Sequence, residues 1–249
     1  TPVSGTVYEI TVSGGDLAGF NGVVGIDLSG AQNITDSVGN ALPAGEPATD
    51  ETYTLDNNAP ALQSFTRFNP LTSPTNADTL VFRATFNETV LNVSAGDFAV
   101  NGATTATVTL VTAISGTVYE ITVSGGDLAG FNGMVGLNLA GAQDITDSAG
   151  NSLPTGEPLT DETYTLDNSA PVLTSFTRQT PATSPTNADT LVFRATFSET
   201  VVNVSVGDFA VNGTTTATVT LVTPISGTVY DITVSGGDLA GFNGIVGID

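Results

Sequence analysis

The chain repeats itself at a fixed spacing of 111 residues, and that spacing limits its architecture more than any other feature. The run SGTVYEITVSGGDLAGFNG starts at Ser4 and again at Ser115, and SGTVYDITVSGGDLAGFNG starts at Ser226. TSPTNADTLVFRATF at Thr72 returns at Thr183, and LDNNAP at Leu55 returns as LDNSAP at Leu166. Between residues 57–138 and 168–249 only 15 of 82 positions differ, mostly by swaps such as Leu91 against Val202 or Met134 against Ile245. A solenoid unit of roughly 20–45 residues cannot bury its own core, whereas a unit of about 110 can. Each copy is therefore read as a self-sufficient domain. Cutting at Asp-Asn-x-Ala-Pro predicts the C-terminal part of a repeat at 1–56, a complete repeat at 57–167 and a repeat lacking its last strand at 168–249.

Within the complete copy the hydrophobic period is two. Leu80, Phe82, Ala84 and Phe86 alternate with Val81, Arg83 and Thr85, which puts the arginine outside a central strand. The same rule predicts strands at 61–68, 89–93 continuing towards Val100, 105–112, 117–123, 134–140 and 161–166, seven in all. Turn clusters rich in Gly, Pro, Asn and Asp separate them, at the spacing of an all-β sandwich. No segment of useful length carries a helical apolar stripe. An odd number of strands running up and down brings the chain in at one pole and out at the other. Identical units then line up end to end. The entering linker 56–60, Glu88, the Ser115-Gly116 turn and the loop 144–151 share the entry pole, while Asp78, Asn101 and Asp127 share the exit pole.

Charge narrows the function. Twenty-five acidic residues face four arginines, with no Lys and no His, for a net charge of −21. The complete copy alone has eleven acids against two arginines. Such a polyanion is repelled by nucleic acid and anionic membranes, and metal cations are its natural counter-charge. Cysteine is absent, so disulfides, thiolate metal sites and a cysteine nucleophile are excluded. No apolar run approaches the length of a membrane span, and Thr1 opens without the pattern of a signal peptide.

The strongest chemical constellation is at the junction. Asp56, Asn57 and Asn58 offer short oxygen-bearing side chains before Pro60, and strand parity brings Glu88, Asp144 and Asp147 towards them. Asp16 or Asp127 is placed to approach from the exit pole of the preceding domain. One period on, Asp167, Asn168 and Glu199 form the next such set; one period back, Asp36 stands where Asp147 does. Oxygen ligands without nitrogen or sulfur suit calcium rather than zinc or copper. The bland alternative is an Asx-turn at Asp-Asn-x-Ala-Pro with the other acids as solvated turn residues.

Other motifs carry less. The Gly125-Gly126-Asp127-Leu128-Ala129-Gly130 run has no Lys and no helix after it, and reads as a tight connection rather than a phosphate cradle. Asn-x-Ser/Thr sequons at Asn33, Asn87, Asn92, Asn203 and Asn212 are those of a Thr-rich composition. Without His, Cys or Lys the usual nucleophiles and bases are missing, and Asp161 and Glu162, adjacent on a strand, point to opposite faces. The expectation is that this is not an enzyme.

TSPTNADTLVFRATFSETV from Thr183, VGDFAVNG at Val206, DITDSAGN at Asp144 and LDNSAP at Leu166 resemble the bacterial immunoglobulin-like repeats of giant adhesins and biofilm-associated proteins. The junction is also similar in character to cadherin linkers. The resemblance implies tandem seven-stranded immunoglobulin-like sandwiches arranged end to end as an extracellular, cell-surface stalk, stiffened by calcium between domains. It makes Asp56, Asn57, Asp167 and Asn168 the linker positions, with Glu88 and Glu199 below them. DNNAP is shorter than a full cadherin linker, which leaves the number of ions per joint open. The partners expected are neighbouring repeats of the same chain and other copies of it, with no nucleic acid and no membrane insertion. Two competing readings are a self-assembling filament or surface layer and a glycan- or protein-binding module; the scarcity of aromatics, with no Trp and five Tyr, weighs against the last.

Overall fold

Alternation along the chain becomes two apposed sheets. The computed structural model describes all residues from Thr1 to Asp249 and separates into two compact units, Thr1–Asn168 and Ser169–Asp249. In the first unit the opening segment contributes β1 (Gly22–Val24) and β2 (Tyr53–Leu55), paired antiparallel. The complete repeat then supplies β3 (Leu62–Asn69), β4 (Thr79–Phe86), β5 (Val90–Leu91), β6 (Phe98–Asn101), β7 (Thr107–Ala113), β8 (Val118–Ser124), β9 (Gly133–Leu139), β10 (Thr146–Asp147), β11 (Thr160–Asp161) and β12 (Tyr164–Leu166). One sheet has the order β11-β3-β4-β8-β7, the other β12-β9-β6, and β5 pairs with β10 as a short ribbon. The helical elements are single 3-10 turns of three residues.

The even-numbered residues of β4, Leu80 to Phe86, and Tyr119, Ile121 and Val123 of β8 are buried from one sheet, and Phe98, Val135, Leu137, Tyr164 and Leu166 from the other. Edge-on ring contacts join the layers, with centroids 6.0 Å apart for Phe65 and Phe98 and 5.0 Å for Phe82 and Tyr164. Arg83, on the outer face, faces Glu120 across β8 at 2.6 Å and stacks over the Phe68 ring.

Two of the strands expected from the sequence are each divided. Beyond Val90–Leu91, Asn92 adopts φ 63°, a left-handed conformation that ends pairing, and Ser94 and Asp97 then close a capping box. Buried Asp97 accepts the Ser94 N–H at 2.7 Å and the Asp144 N–H at 3.1 Å, so it ties this turn to the loop 144–151. The last strand changes sheets. β11 pairs parallel with β3, and β12 pairs antiparallel with β9. Between them Glu162 accepts the Arg67 N–H at 2.8 Å, and the Tyr164 hydroxyl lies 2.8 Å from the Pro70 carbonyl.

Strand direction sets the poles. Asp56 meets Glu88 and Asp147 at the end of β4 marked by Phe86. The Asp167 N–H donates to the Thr75 carbonyl at 3.0 Å, and Asn168 to the loop at 128–132, both beyond the Thr79 end. Chain entry and exit of the complete repeat thus lie at opposite ends of its strands.

The second unit repeats the pattern with β13 (Leu173–Thr180), β14 (Thr190–Phe197), β15 (Val211–Asn212), β16 (Thr218–Ser226), β17 (Val229–Ser235) and β18 (Gly247–Ile248). Its main sheet has the order β13-β14-β17-β16, with β15 paired to β18. Phe193, Ala195, Ile232 and Val234 form its core, and Arg194 pairs with Asp231 at 2.8 Å where the complete repeat has Arg83 and Glu120.

Candidate metal centre

The linker after β2 is held by side-chain amides on both sides. The Asn57 N–H donates to Asn21 Oδ1 at 2.6 Å, and Asn57 Nδ2 donates to the Phe20 carbonyl at 2.6 Å and the Leu17 carbonyl at 3.4 Å. On the other side Asn151 Nδ2 reaches the carbonyls of Asp56 and Asn58, each at 3.0 Å. Asn58 N–H donates to Asp56 Oδ1 at 3.0 Å, the Asx-turn expected of such a sequence.

At this linker one carboxylate oxygen from each of Asp56, Glu88 and Asp147 lies within 4.8 Å of the others. The sequence around Asp147 explains its position. Asp147-Ser-Ala-Gly-Asn closes on itself, with Asp147 Oδ1 accepting the N–H groups of Ala149 (2.9 Å) and Asn151 (2.8 Å) and Gly150 at φ 95°. Pairing of β10 with β5 carries that turn to the strand end next to Glu88. Asp147 is buried, yet the hydrogen bond from the Asn151 side chain, aided by backbone N–H groups, holds its carboxyl below the usual range against the opposing effect of burial. Three ionised oxygens this close repel one another, and a hard divalent cation with a preference for carboxylates and carbonyls fits the donor set.

The other expected residues are placed differently. Asp144 is exposed and stands outside this group. Asp127 is pinned by the Thr104 hydroxyl at 2.5 Å and the Thr105 N–H at 2.8 Å, and its carboxyl is lowered by those bonds, the Thr104 one foremost. Asp16 stands at the first position before the turn Leu17–Gly19, without a capping bond from its side chain, and outside the carboxylate group. Asp36 accepts the Asn40 side chain at 2.7 Å and the N–H groups of Val38 and Asn40, a copy of the Asp147 turn without partner carboxylates. Asp167 and Asn168 belong to the first unit and Glu199 to the second. Asn168 repeats the bonds of Asn57, with its N–H on Asn132 Oδ1 at 2.7 Å and its Nδ2 on the Phe131 carbonyl at 2.7 Å. The amide roles of Asn21, Asn132 and Asn151 escaped the sequence reading, although the constant 36-residue spacing from Asn21 to Asn57 and from Asn132 to Asn168 was visible.

A second grouping, also missed, brings the exposed carboxylates of Asp27, Glu46 and Asp50 within 4.8 Å. In the complete repeat the same positions are Asn138, Glu157 and Asp161. There partial shielding from water, then the charge of Asp161, raises the Glu157 carboxyl, and shielding raises that of Asp161, although both residues stay exposed. An acid whose folded-state pKa is raised costs stability once ionised. That cost is absent below the unfolded-state value and grows as pH rises through the folded one. Replacing Glu157 by Gln is expected to raise the melting temperature slightly at pH 7 and leave it unchanged at pH 3; calorimetry at the two pH values checks this. Equal melting temperatures of variant and parent at pH 7 would refute it.

No family model matches the sequence, and no curated protein matches it. No helix is long and apolar enough to cross a membrane.

Proposed function

We propose that the chain is a structural repeat region of a bacterial cell-surface adhesin or biofilm protein, built from tandem immunoglobulin-like sandwiches that act as an extracellular spacer with calcium at the joints. The observation that carries this reading is the linker at Asp56–Asn58. It is gripped by the preceding segment through Asn57 and by the complete repeat through Asn151, with three carboxylates gathered beside it. Entry and exit at opposite strand ends make each 111-residue copy add a fixed increment of reach. In such a stalk Asp56, Glu88 and Asp147 hold the cation, which neutralises the acids that otherwise push the joint apart.

Small-angle scattering of the purified chain with millimolar calcium and with chelator tests the proposal. The maximum dimension is expected to be larger and the distance distribution narrower with calcium. Identical curves in both conditions would remove calcium from the account, and a glycan array bound selectively by the chain would replace the spacer with a binding module.

A further inference from the structure

The Leu-Ala-Gly-Phe-Asn loop occurs three times, at Leu17–Asn21, Leu128–Asn132 and Leu239–Asn243. In each, the preceding Asp has φ between −93° and −100° with ψ of 8° to 10°, and the Phe has φ between −73° and −76° with ψ of 134° to 136°. Each loop asparagine turns its Nδ2 to the glycine carbonyl two residues earlier, at 3.4, 3.4 and 3.3 Å. This leaves Oδ1 of that asparagine as an acceptor, beside the carbonyls of the Leu and the Phe. In the first two copies these three acceptors take one N–H from the backbone and the Nδ2 donors of a single residue, Asn57 or Asn168. The third loop, Leu239–Asn243, has the same shape.

We propose that this loop is a receptor for an asparagine side chain on extended backbone, and that its partner is the Asp-Asn-x-Ala-Pro segment. Towards Asn57 the loop offers three acceptors, the Leu and Phe carbonyls and the asparagine Oδ1, so the residue seated there must donate from both its backbone and a short side chain. Asn meets that demand. Asp would set a negative oxygen against two carbonyls, Ala would leave them unpaired, Gln is one methylene too long, and Pro has no N–H. A glycine after the loop is required as well, because a Cβ at Gly133 would stand 3.0 Å from the Phe131 ring at a φ of 152°. None of the atoms involved is a carboxylate, so recognition needs no cation and stands apart from the calcium reading above.

The test uses the full chain labelled with nitrogen-15, in chelator, titrated with a peptide of its own residues 166–173 and with the same peptide carrying Asn168→Asp. Chemical-shift changes are expected at Leu239–Asn243 with the first peptide and not the second, while the other two loops stay silent because they hold Asn57 and Asn168. In the chain carrying Asn168→Asp, the residue-168 amide is expected to exchange about tenfold faster, and the loop at 128–132 to begin responding to the unaltered peptide. No change at Leu239–Asn243, or equal changes with both peptides, would overturn the proposal. So would unaltered exchange in the chain variant.

Discussion

Replacing Phe82 by Ala is expected to lower the stability of the first unit by about 3–5 kcal/mol, the range for removing a buried ring from a core that cannot collapse. Phe82 is fully buried in the middle of β4, with β3 and β8 on either side and the Tyr164 ring edge-on at 5.0 Å. Its loss opens a cavity and removes the ring that packs edge-on against Tyr164. Tyr164 is on the last strand, two residues before Leu166 and the exit linker, so the loosened packing reaches the joint. Against a typical domain stability of roughly 5–15 kcal/mol this is a large share, and a fall in melting temperature of about 6–20 °C follows. Phe193, the same position in the second unit, is 9% exposed, so water fills part of the space its removal leaves. Calorimetry of the two variants should show the smaller fall for Phe193→Ala. A loss under about 1 kcal/mol for Phe82→Ala would mean the two sheets do not share this core.

The parts of this molecule that obey a period were legible in the sequence. Leu80 to Phe86 alternate because a strand places successive side chains on opposite faces, and that strand is found within a residue of its expected start. Strand parity brings Glu88, Asp144 and Asp147 towards Asp56, and of these Glu88 and Asp147 gather beside it while Asp144 does not. The joint's amides were not legible for a different reason. Asn57 and Asn151 donate to backbone carbonyls and Asn132 accepts a backbone N–H, and such backbone groups have no sequence signature. The division of the strand expected at 89–100 turns on one residue, Asn92, whose left-handed backbone is common for asparagine yet follows from no pattern. The sheet switch between β11 and β12 likewise depends on Arg67, which is distant in sequence from its partner Glu162.

Changing Glu88 to Gln should move stability in opposite directions with and without calcium, which separates a metal role from a merely structural one. Glu88 has one long contact, 3.4 Å from Asn87 Nδ2, so its charge can be removed without dismantling the loop, unlike that of Asp147, which organises the whole turn at Ala149–Asn151. In chelator the variant relieves repulsion among three gathered carboxylates and is expected to melt slightly above the parent. With calcium the order reverses. A ligand present at a thousand times its dissociation constant stabilises the folded state by about 4.1 kcal/mol, and a site weakened a hundredfold retains only about 1.4 kcal/mol of that gain. Asp144→Asn, which neutralises an acid outside the carboxylate group, is the control for bulk charge and should leave the calcium response intact. Melting curves recorded across a calcium titration decide the matter. If Glu88→Gln and Asp144→Asn respond to calcium alike, the ion acts by screening a polyanion, and the three carboxylates at Asp56 do not form a site.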